Sequence, residues 1–279
     1  MHVAHLFSFA AFQAAVLGIV QGLAEFLPIS SSAHLVLVRW WLGWSDFIGG
    51  PQVEKAFDVM LHAGTFVAVF IYFFADLKGF AKALFSWDGD REKRRIAWML
   101  VISTIPGALF GVFFEKAIEE KFSAPHPIAI FMLSLGVVLI LAELLSRQNR
   151  TLEEMTMFDA VIIGIAQAFA LLPGVSRSGI TMTAALFLGS TRETAARYSF
   201  LMSIPIIAGA MVWEGHKVMK MHLPVATLLP FGWGFLTSAI VGYLAIGFLL
   251  RYLSKGSFYP FAVYRILLGA GILIFGLFK

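Results

Sequence analysis

Residues 21–34 read Gln-Gly-Leu-Ala-Glu-Phe-Leu-Pro-Ile-Ser-Ser-Ser-Ala-His, and this polar, proline-containing stretch interrupts an apolar run that begins near residue 7. A second interruption, at residues 172–179, reads Leu-Pro-Gly-Val-Ser-Arg-Ser-Gly and follows the apolar segment 157–172. Only about ten apolar residues follow each interruption, and as a helix they rise roughly 15 Å, half the thickness of a membrane core. Each pattern therefore predicts a re-entrant helix–loop–helix hairpin, whose non-helical backbone needs surrounding protein or a watery cavity.

The composition of the whole chain identifies a membrane protein. Of its 279 residues, 59% are hydrophobic and 14% are charged, whereas soluble domains have about 45–50% apolar and about 25% charged residues. This excess excludes a soluble enzyme, a disordered chain and a nucleic-acid-binding domain. Because the chain has no cysteine, a disulfide framework, a thiolate metal site and a cysteine nucleophile are excluded as well.

Six further segments are long and apolar enough to span a bilayer: residues 56–75, 97–114, 126–146, 197–214, 224–250 and 258–278. Helix is expected for all of them because lipid cannot satisfy open backbone groups. The predicted fold is therefore all-α and integral to the membrane, with six spanning helices and two re-entrant hairpins in a single domain over residues 1–279.

The two hairpins resemble each other in sequence. Residues 17–21 (Leu-Gly-Ile-Val-Gln) match residues 163–167 (Ile-Gly-Ile-Ala-Gln), and with one gap Ser31 stands opposite Ser176. Three spans follow each hairpin, which predicts inverted repeats over approximately residues 7–146 and 157–278, with the functional site where the broken helices meet. Lys and Arg are twice as frequent in the loops that are then internal, so we expect both termini outside.

The first interruption carries a carboxylate, hydroxyls and an imidazole. Glu25 lies four residues after Gln21, on the same helical face, and is either a structural polar partner, a general base or a ligand of Mg²⁺ or Ca²⁺ with Gln21 in support. Ser30 and its neighbouring serines supply helix caps or binding hydroxyls. Ser31, His34 and Glu25 together are the parts of an activated nucleophile, although spacing alone does not establish their geometry.

The second interruption carries a permanent cation. Arg177 must meet an anion at mid-membrane depth, either Glu25 in a structural ion pair or a bound phosphate. In the last span Arg265 adds a second cation, unless it snorkels to the membrane surface. Further hydroxyl groups near Arg177 come from Ser176, Ser178 and Thr181. Two cations, one carboxylate and many hydroxyls suit a lipid diphosphate whose tail stays in the bilayer and whose head group undergoes phosphoryl transfer.

Residues 21–34 resemble the [E/Q]xxxE…PxSSxxH signature of the bacterial undecaprenyl-diphosphate phosphatase family (BacA/UppP, the bacitracin-resistance family), and residues 172–179 resemble its PGxSRSG signature. The likeness extends to residues 57–65, 199–205 and 261–265, and so covers nearly the whole chain. It implies hydrolysis of undecaprenyl diphosphate to the monophosphate carrier used in cell-wall synthesis, with a divalent cation, in the bacterial inner membrane and with the site facing the periplasm.

The resemblance also implies roles for individual residues. Glu25 and Gln21 are base or metal-associated residues, Ser31 is the favoured nucleophile and His34 a catalytic partner. The predicted diphosphate-binding residues are Ser30, Ser176, Arg177, Ser178, Thr181 and Arg265. Gln21 stands where other members have Glu, so the motif of this chain holds one carboxylate, Glu25, which weakens any proposal that needs two carboxylates to hold a metal ion.

The sequence leaves open how the nucleophile and base roles divide among Ser31, His34 and Glu25, which metal ion binds and which substrate chain length is preferred. Two further questions stay open. A transporter that flips the lipid carrier is the main alternative function, because inverted repeats with broken helices are typical of secondary carriers. The oligomeric state is the other, with a homodimer as one alternative.

Overall fold

The computed structural model describes residues 2–44, 49–86, 89–221 and 223–276, and no β-strand occurs in these ranges. Their α-helices are α1 (His2–Phe26), α2 (Ser31–Leu42), α3 (Pro51–Tyr72), α4 (Phe74–Phe85), α5 (Arg91–Phe122), α6 (Pro125–Leu145), α7 (Met157–Ala168), α8 (Arg177–Phe187), α9 (Arg192–Met219), α10 (Leu228–Leu253) and α11 (Tyr259–Gly276). Short 3₁₀ turns lie at Leu152–Glu154, Phe169–Leu171 and Val225–Thr227. The all-helical prediction is confirmed.

Local sequence explains where several helices begin. Proline occupies the first turn of α3 and of α6, where its missing N–H costs no hydrogen bond. The Asp90 carboxylate accepts hydrogen bonds from the first backbone N–H groups of α5, and Thr156 forms a capping box with Asp159 at the start of α7. Each cap satisfies N–H groups that the helix itself leaves unpaired.

Among the described residues six helices are long and apolar enough to cross a membrane, the number predicted, but they are not the same six segments. The first apolar segment forms one continuous helix, α1, and qualifies by length and composition, whereas α11 is described only to residue 276 and falls short. Residues 277–278 of the predicted last span, like residue 1 and residue 279, lie outside the described residues. The hairpins α1–α2 and α7–α8 are compatible with re-entrant segments, which stay a prediction.

Helices of the two predicted repeats pack against each other. In the described chain α1 packs mainly on α10 and α7 mainly on α5, while α6 packs on α11. Glycine makes these crossings close: a Cβ on Gly18 would lie 2.5 Å from the Gly234 carbonyl oxygen, and one on Gly164 would lie 2.6 Å from the Ser103 carbonyl oxygen. Small residues let helices approach closely in membranes. The division into inverted repeats is not tested by these contacts and stays a prediction.

Ion pairs anchor the open ends of both hairpins. Arg39 of α2 donates to the Asp58 carboxylate of α3. Arg150 donates to Asp159 of α7 at 2.6 and 3.1 Å and to the Leu188 carbonyl oxygen, just after α8, at 2.8 Å. The hydrogen bonds and the charge of the Asp159 carboxylate raise the pKa of Arg150, which keeps the guanidinium charged. These contacts tie the end of α2 to α3 and hold the two ends of the α7–α8 hairpin together.

Candidate active site

The first tip loop, residues 27–30, turns the chain sharply between α1 and α2. Ser30 has a φ of +78°, in the left-handed region that residues with a Cβ rarely adopt. Its Oγ accepts a hydrogen bond of 3.4 Å from the backbone N–H of Ala33 and thereby caps α2. The loop thus ends at the N-terminus of α2, whose first-turn N–H groups give it a partial positive charge.

The second tip loop, residues 172–176, repeats this geometry before α8. Ser176 has a φ of +73°, and its Oγ accepts a hydrogen bond of 3.1 Å from the backbone N–H of Gly179. The Oγ atoms of Ser176 and Ser178 lie 3.3 Å apart, as do those of Ser30 and Ser32. Two strained, serine-capped helix starts therefore face the same region.

The capping geometry corrects the predicted correspondence between the two loops. Ser30, not Ser31, matches Ser176, because these two serines share the left-handed conformation and the capping role. No gap is then needed between the two hairpins. The residue of the second loop that corresponds to Ser31 is Arg177, so a hydroxyl in one hairpin stands where a guanidinium stands in the other.

The two tip loops are in direct contact, as the repeat hypothesis expects. The Ser178 hydroxyl donates to the Leu27 carbonyl oxygen at 3.1 Å. Arg265 of α11, only 1% exposed, donates to the Pro28 carbonyl oxygen at 3.0 Å and to the carbonyl oxygens of Gly174 and Val175 at 2.9 Å each. Arg265 therefore ties both loops together through their backbones, and its contacts do not support the prediction that it binds diphosphate directly.

Glu25 is the centre of the polar cluster. Its Oε2 accepts hydrogen bonds from the Ser31 hydroxyl at 2.7 Å and from the Gln21 amide at 3.0 Å, and its Oε1 accepts from Arg177 Nη2 at 2.6 Å. Nε2 of His62, on α3, lies 3.8 Å from Oε2. A buried carboxylate must be paired and hydrogen-bonded, and this one is both.

Arg177 forms the ion pair with Glu25 that the sequence left as one alternative. Its Nη1 also donates to the Ser199 carbonyl oxygen at 3.4 Å. Since a guanidinium has five N–H groups, three of them have no acceptor among the residues that the structure describes, and these three can bind another anion. Thr181 lies one turn further along α8, where its hydroxyl bonds the Arg177 carbonyl and the Ser199 hydroxyl; it is fully buried and supports the start of α8.

His34 is not hydrogen-bonded to Ser31, contrary to the simplest form of a Ser–His–carboxylate arrangement. Its Nδ1 lies 2.7 Å from the Ser30 carbonyl oxygen and its Nε2 lies 2.7 Å from the Tyr264 hydroxyl. Ser31 is instead bonded directly to the carboxylate. Of the predicted catalytic residues, Ser31 and Glu25 are therefore in contact with each other, while His34 lies one turn along α2 with separate partners.

The donor set fits a tightly held metal ion poorly. Both oxygens of Glu25 already accept hydrogen bonds, one of them from a guanidinium. In the described ranges no group of three His, Asp or Glu side chains is placed to hold an ion. The buried Gln21 Oε1 has no hydrogen-bond partner among the described residues and is a potential ligand. One carboxylate and one amide oxygen are too few for Mg²⁺ or Ca²⁺, which take six or more oxygen ligands.

Comparison with known proteins places the chain in a family. A family model described as Bacitracin resistance protein BacA matches residues 14–271. The chain belongs to this family. Among its relatives in the BacA family are three proteins named undecaprenyl-diphosphatase. The one from Moorella thermoacetica is 49% identical over 92% of this chain and 95% of its own. That from Geotalea daltonii is 45% identical over 95% and 97%, and that from Caldicellulosiruptor bescii 46% over 96% and 98%.

Sequence reasoning missed three residues that contact the cluster. His62 lies inside the predicted span 56–75, and the rule that singled out Glu25, an ionisable residue in a span, also applies to it. Tyr264 precedes Arg265 within residues 261–265, where the likeness to the family marked the segment without assigning this residue a role. Ser199 supports both Arg177 and Thr181 through its carbonyl and hydroxyl groups, a contact between helices that no local sequence pattern indicates.

Proposed function

We propose that this chain is an undecaprenyl-diphosphatase, which removes the terminal phosphate of undecaprenyl diphosphate and leaves undecaprenyl phosphate and inorganic phosphate. Its relatives that are named undecaprenyl-diphosphatase match this chain over nearly their full length, which supports this activity. The observation in the structure that supports it best is the contact of Ser31, Glu25 and Arg177 at the junction of the two tip loops. A hydroxyl, a base and a cation there supply what phosphoryl transfer requires.

The substrate's diphosphate binds between the N-termini of α2 and α8. Helix N-termini favour anions because their first N–H groups are unpaired within the helix. The unused N–H groups of Arg177 neutralise the terminal phosphate. Glu25 is paired with Arg177, and Arg265, bonded to the backbones of both tip loops, adds a second guanidinium charge nearby, so the region carries a net positive charge for a polyanion. The polyprenyl tail stays in the hydrocarbon.

Ser31 is the nucleophile in this proposal. As its Oγ attacks the terminal phosphorus and forms a new O–P bond, the bond between that phosphorus and the bridging oxygen breaks, and undecaprenyl phosphate leaves with the electron pair. Glu25 accepts the Ser31 proton, a general-base contribution of typically about 10²–10⁴-fold. Water then attacks the phosphoserine, which releases phosphate and regenerates the hydroxyl. His34 lies one helical turn after Ser31 on α2, and we propose that it assists the reaction of Ser31 next to the diphosphate head group.

We retain a divalent cation as a proposed cofactor that arrives with the substrate. The chain supplies too few ligands to hold it alone, so diphosphate oxygens and water would have to complete its coordination, and Gln21 Oε1 is the protein atom that would be available to it. Titrating Mg²⁺ and Ca²⁺ into chelator-treated enzyme tests this. We expect the concentration that restores activity to depend on substrate concentration, and a cation requirement independent of substrate would contradict it.

Phosphate release by the purified protein tests the activity. In detergent with undecaprenyl diphosphate, we expect turnover by the natural chain and a loss of at least about 10³-fold in Ser31→Ala, as for other nucleophile deletions. Ser134→Ala is the matched control, because the Ser134 hydroxyl is exposed and bonds only the Ile130 carbonyl of its own helix. A pure carrier would release no phosphate with either protein, and wild-type activity in Ser31→Ala would remove Ser31 from the mechanism.

The chain is a multi-pass membrane protein, and we propose that it lies in the bacterial inner membrane with both termini and the site facing outward. Because the natural chain has no cysteine, single cysteines can report the orientation. A membrane-impermeant thiol reagent added to intact cells is expected to label Lys220→Cys, after α9, and not Lys78→Cys, on α4, both of which are exposed positions. The reverse pattern would invert the proposed topology. A homodimer stays a prediction.

A further inference from the structure

The His34 ring is held between two partners from different parts of the chain. A carbonyl oxygen only accepts, so Nδ1, 2.7 Å from the Ser30 carbonyl, carries a proton. In the neutral ring Nε2 is then the acceptor, and it receives the hydrogen bond of the Tyr264 hydroxyl at 2.7 Å. The two rings lie within 14° of parallel, with centroids 5.6 Å apart. One carbonyl and one phenol thus fix both the tautomer and the direction of the imidazole.

Tyr264 contacts His34 from α11, the helix whose next residue, Arg265, contacts the first tip loop. Its neighbour Arg265 donates to the Pro28 carbonyl, at the start of the first tip loop, while Tyr264 reaches His34 beyond the end of that loop. Tyr264 is 43% exposed, so it is not a core packing residue. Two successive residues of α11 therefore fix the loop at both ends, and only one of them is buried.

We propose that Tyr264 is a positioning residue for His34. Its hydroxyl holds the imidazole at the edge of the diphosphate site throughout the reaction, because it donates to Nε2 of the neutral ring and accepts from Nε2–H once the ring takes up a proton, while Nδ1 stays committed to the backbone. The proposal rests on the proposed function, because it needs His34 to serve the phosphatase reaction. It adds a residue of α11 that acts on catalysis only through His34.

Tyr264→Phe isolates the hydroxyl, because it keeps the ring and its apolar area. We expect kcat for undecaprenyl diphosphate to fall about tenfold, a part of the about 10²–10⁴-fold that a positioned acid–base group contributes, with KM changed less than about twofold. Tyr243→Phe is the matched control: Tyr243 is 44% exposed and its ring contacts Tyr72 instead. An unchanged kcat in Tyr264→Phe would overturn the proposal.

A double-mutant cycle separates positioning from general packing. If Tyr264 acts through His34, adding Tyr264→Phe to His34→Gln lowers the residual activity no further, because residues that share one interaction are not additive. If the hydroxyl serves another purpose, the same tenfold loss appears in both backgrounds, and the proposal is wrong.

Chemical labelling tests the contact without any activity. Diethyl pyrocarbonate acylates imidazole nitrogens that have a free lone pair, and the phenol occupies that of His34 Nε2. We expect the rate of His34 modification, followed by mass spectrometry of its peptide, to rise at least about threefold in Tyr264→Phe and not in Tyr243→Phe. An unchanged rate would contradict the contact. A natural chain that releases no phosphate would instead refute the proposed function, so the two failures are distinguishable.

Discussion

The two tip loops share one backbone design and carry different chemistry. Both end in a left-handed serine that caps the next helix, with nearly equal φ angles of +78° and +73°. Aligned on these serines, Glu25 corresponds to Leu171, Ser31 to Arg177 and His34 to Ile180. One hairpin supplies the carboxylate and the hydroxyl, and the other supplies the cation. Two loops with the same backbone geometry can therefore build an asymmetric site, because their side chains differ.

The division has an electrostatic reason. A lone carboxylate at a span centre costs about 2.5–3.5 kcal/mol on insertion scales, and a second one at the Leu171 position would add repulsion. The Glu25–Arg177 pair, with Oε1 and Nη2 at 2.6 Å, offsets this cost across the junction of the hairpins. The pair also makes correct packing of the two hairpins a condition for the site, because Glu25 of the first hairpin and Arg177 of the second neutralise each other only when the hairpins are in contact.

Removing Arg177, the cation of the second hairpin, is expected to have the largest effect. Arg177→Ala deletes the phosphate-binding donors and leaves Glu25 buried without its partner, so we expect activity to fall by at least about 10³-fold, as for loss of a preorganised donor to the reacting group. Breaking one side of a buried pair also costs about 3–5 kcal/mol of stability. Phosphate release and thermal unfolding in detergent measure the two losses separately.

Arg177→Lys sharpens this result. It keeps the charge but cannot reproduce the fork of N–H groups, so we expect most of the stability to return and activity to stay at least about tenfold below that of the natural chain. Arg251→Ala, at an exposed position near the end of α10, is the control for loss of a basic residue. Full activity in Arg177→Ala would mean that the ion pair is purely structural.

Changing Glu25 and Leu171, which occupy matching positions before the two tip loops, tests whether the two hairpins have different chemical roles. Glu25→Gln keeps the shape but removes the base, and we expect phosphate release to fall by about 10²–10³-fold. Leu171→Met, a volume-conserving change at the corresponding position of the second hairpin, is expected to leave activity within about twofold. Comparable losses in the two variants would show that the effect comes from disturbing a hairpin rather than from the carboxylate.

The sequence predicted much of this arrangement because the membrane makes polar residues informative. Glu25 and Arg177 had to meet partners in an apolar region, and the break residues marked both hairpins. The correspondence of Ser31 with Ser176 was wrong, because counting from the prolines gives a different register from the cap geometry. The contacts of Arg265 with backbone carbonyls of both loops and of His34 with Tyr264 depend on tertiary packing, and no local pattern indicates them.

The smallest expected effect concerns the matched glutamines. Gln21 donates to Glu25 at 3.0 Å, whereas Gln167, its counterpart in α7, donates to the Ser103 carbonyl oxygen at 3.3 Å. Gln21→Leu is expected to lower activity about tenfold, since it removes one of the hydrogen bonds that orient the base. Gln167→Leu is expected to leave activity within about twofold and stability within about 1.5 kcal/mol, the net value of one hydrogen bond.

The cation dependence of the Gln21→Leu loss then separates two roles for Gln21. If Gln21 only orients Glu25, the loss is the same at every Mg²⁺ concentration. If its Oε1 also contributes to cation binding, the loss grows at low Mg²⁺ and shrinks with excess Mg²⁺, because mass action compensates for the missing ligand. Equal losses in Gln21→Leu and Gln167→Leu would contradict the distinction between the hairpins, since both glutamines would then act on the reaction through helix packing.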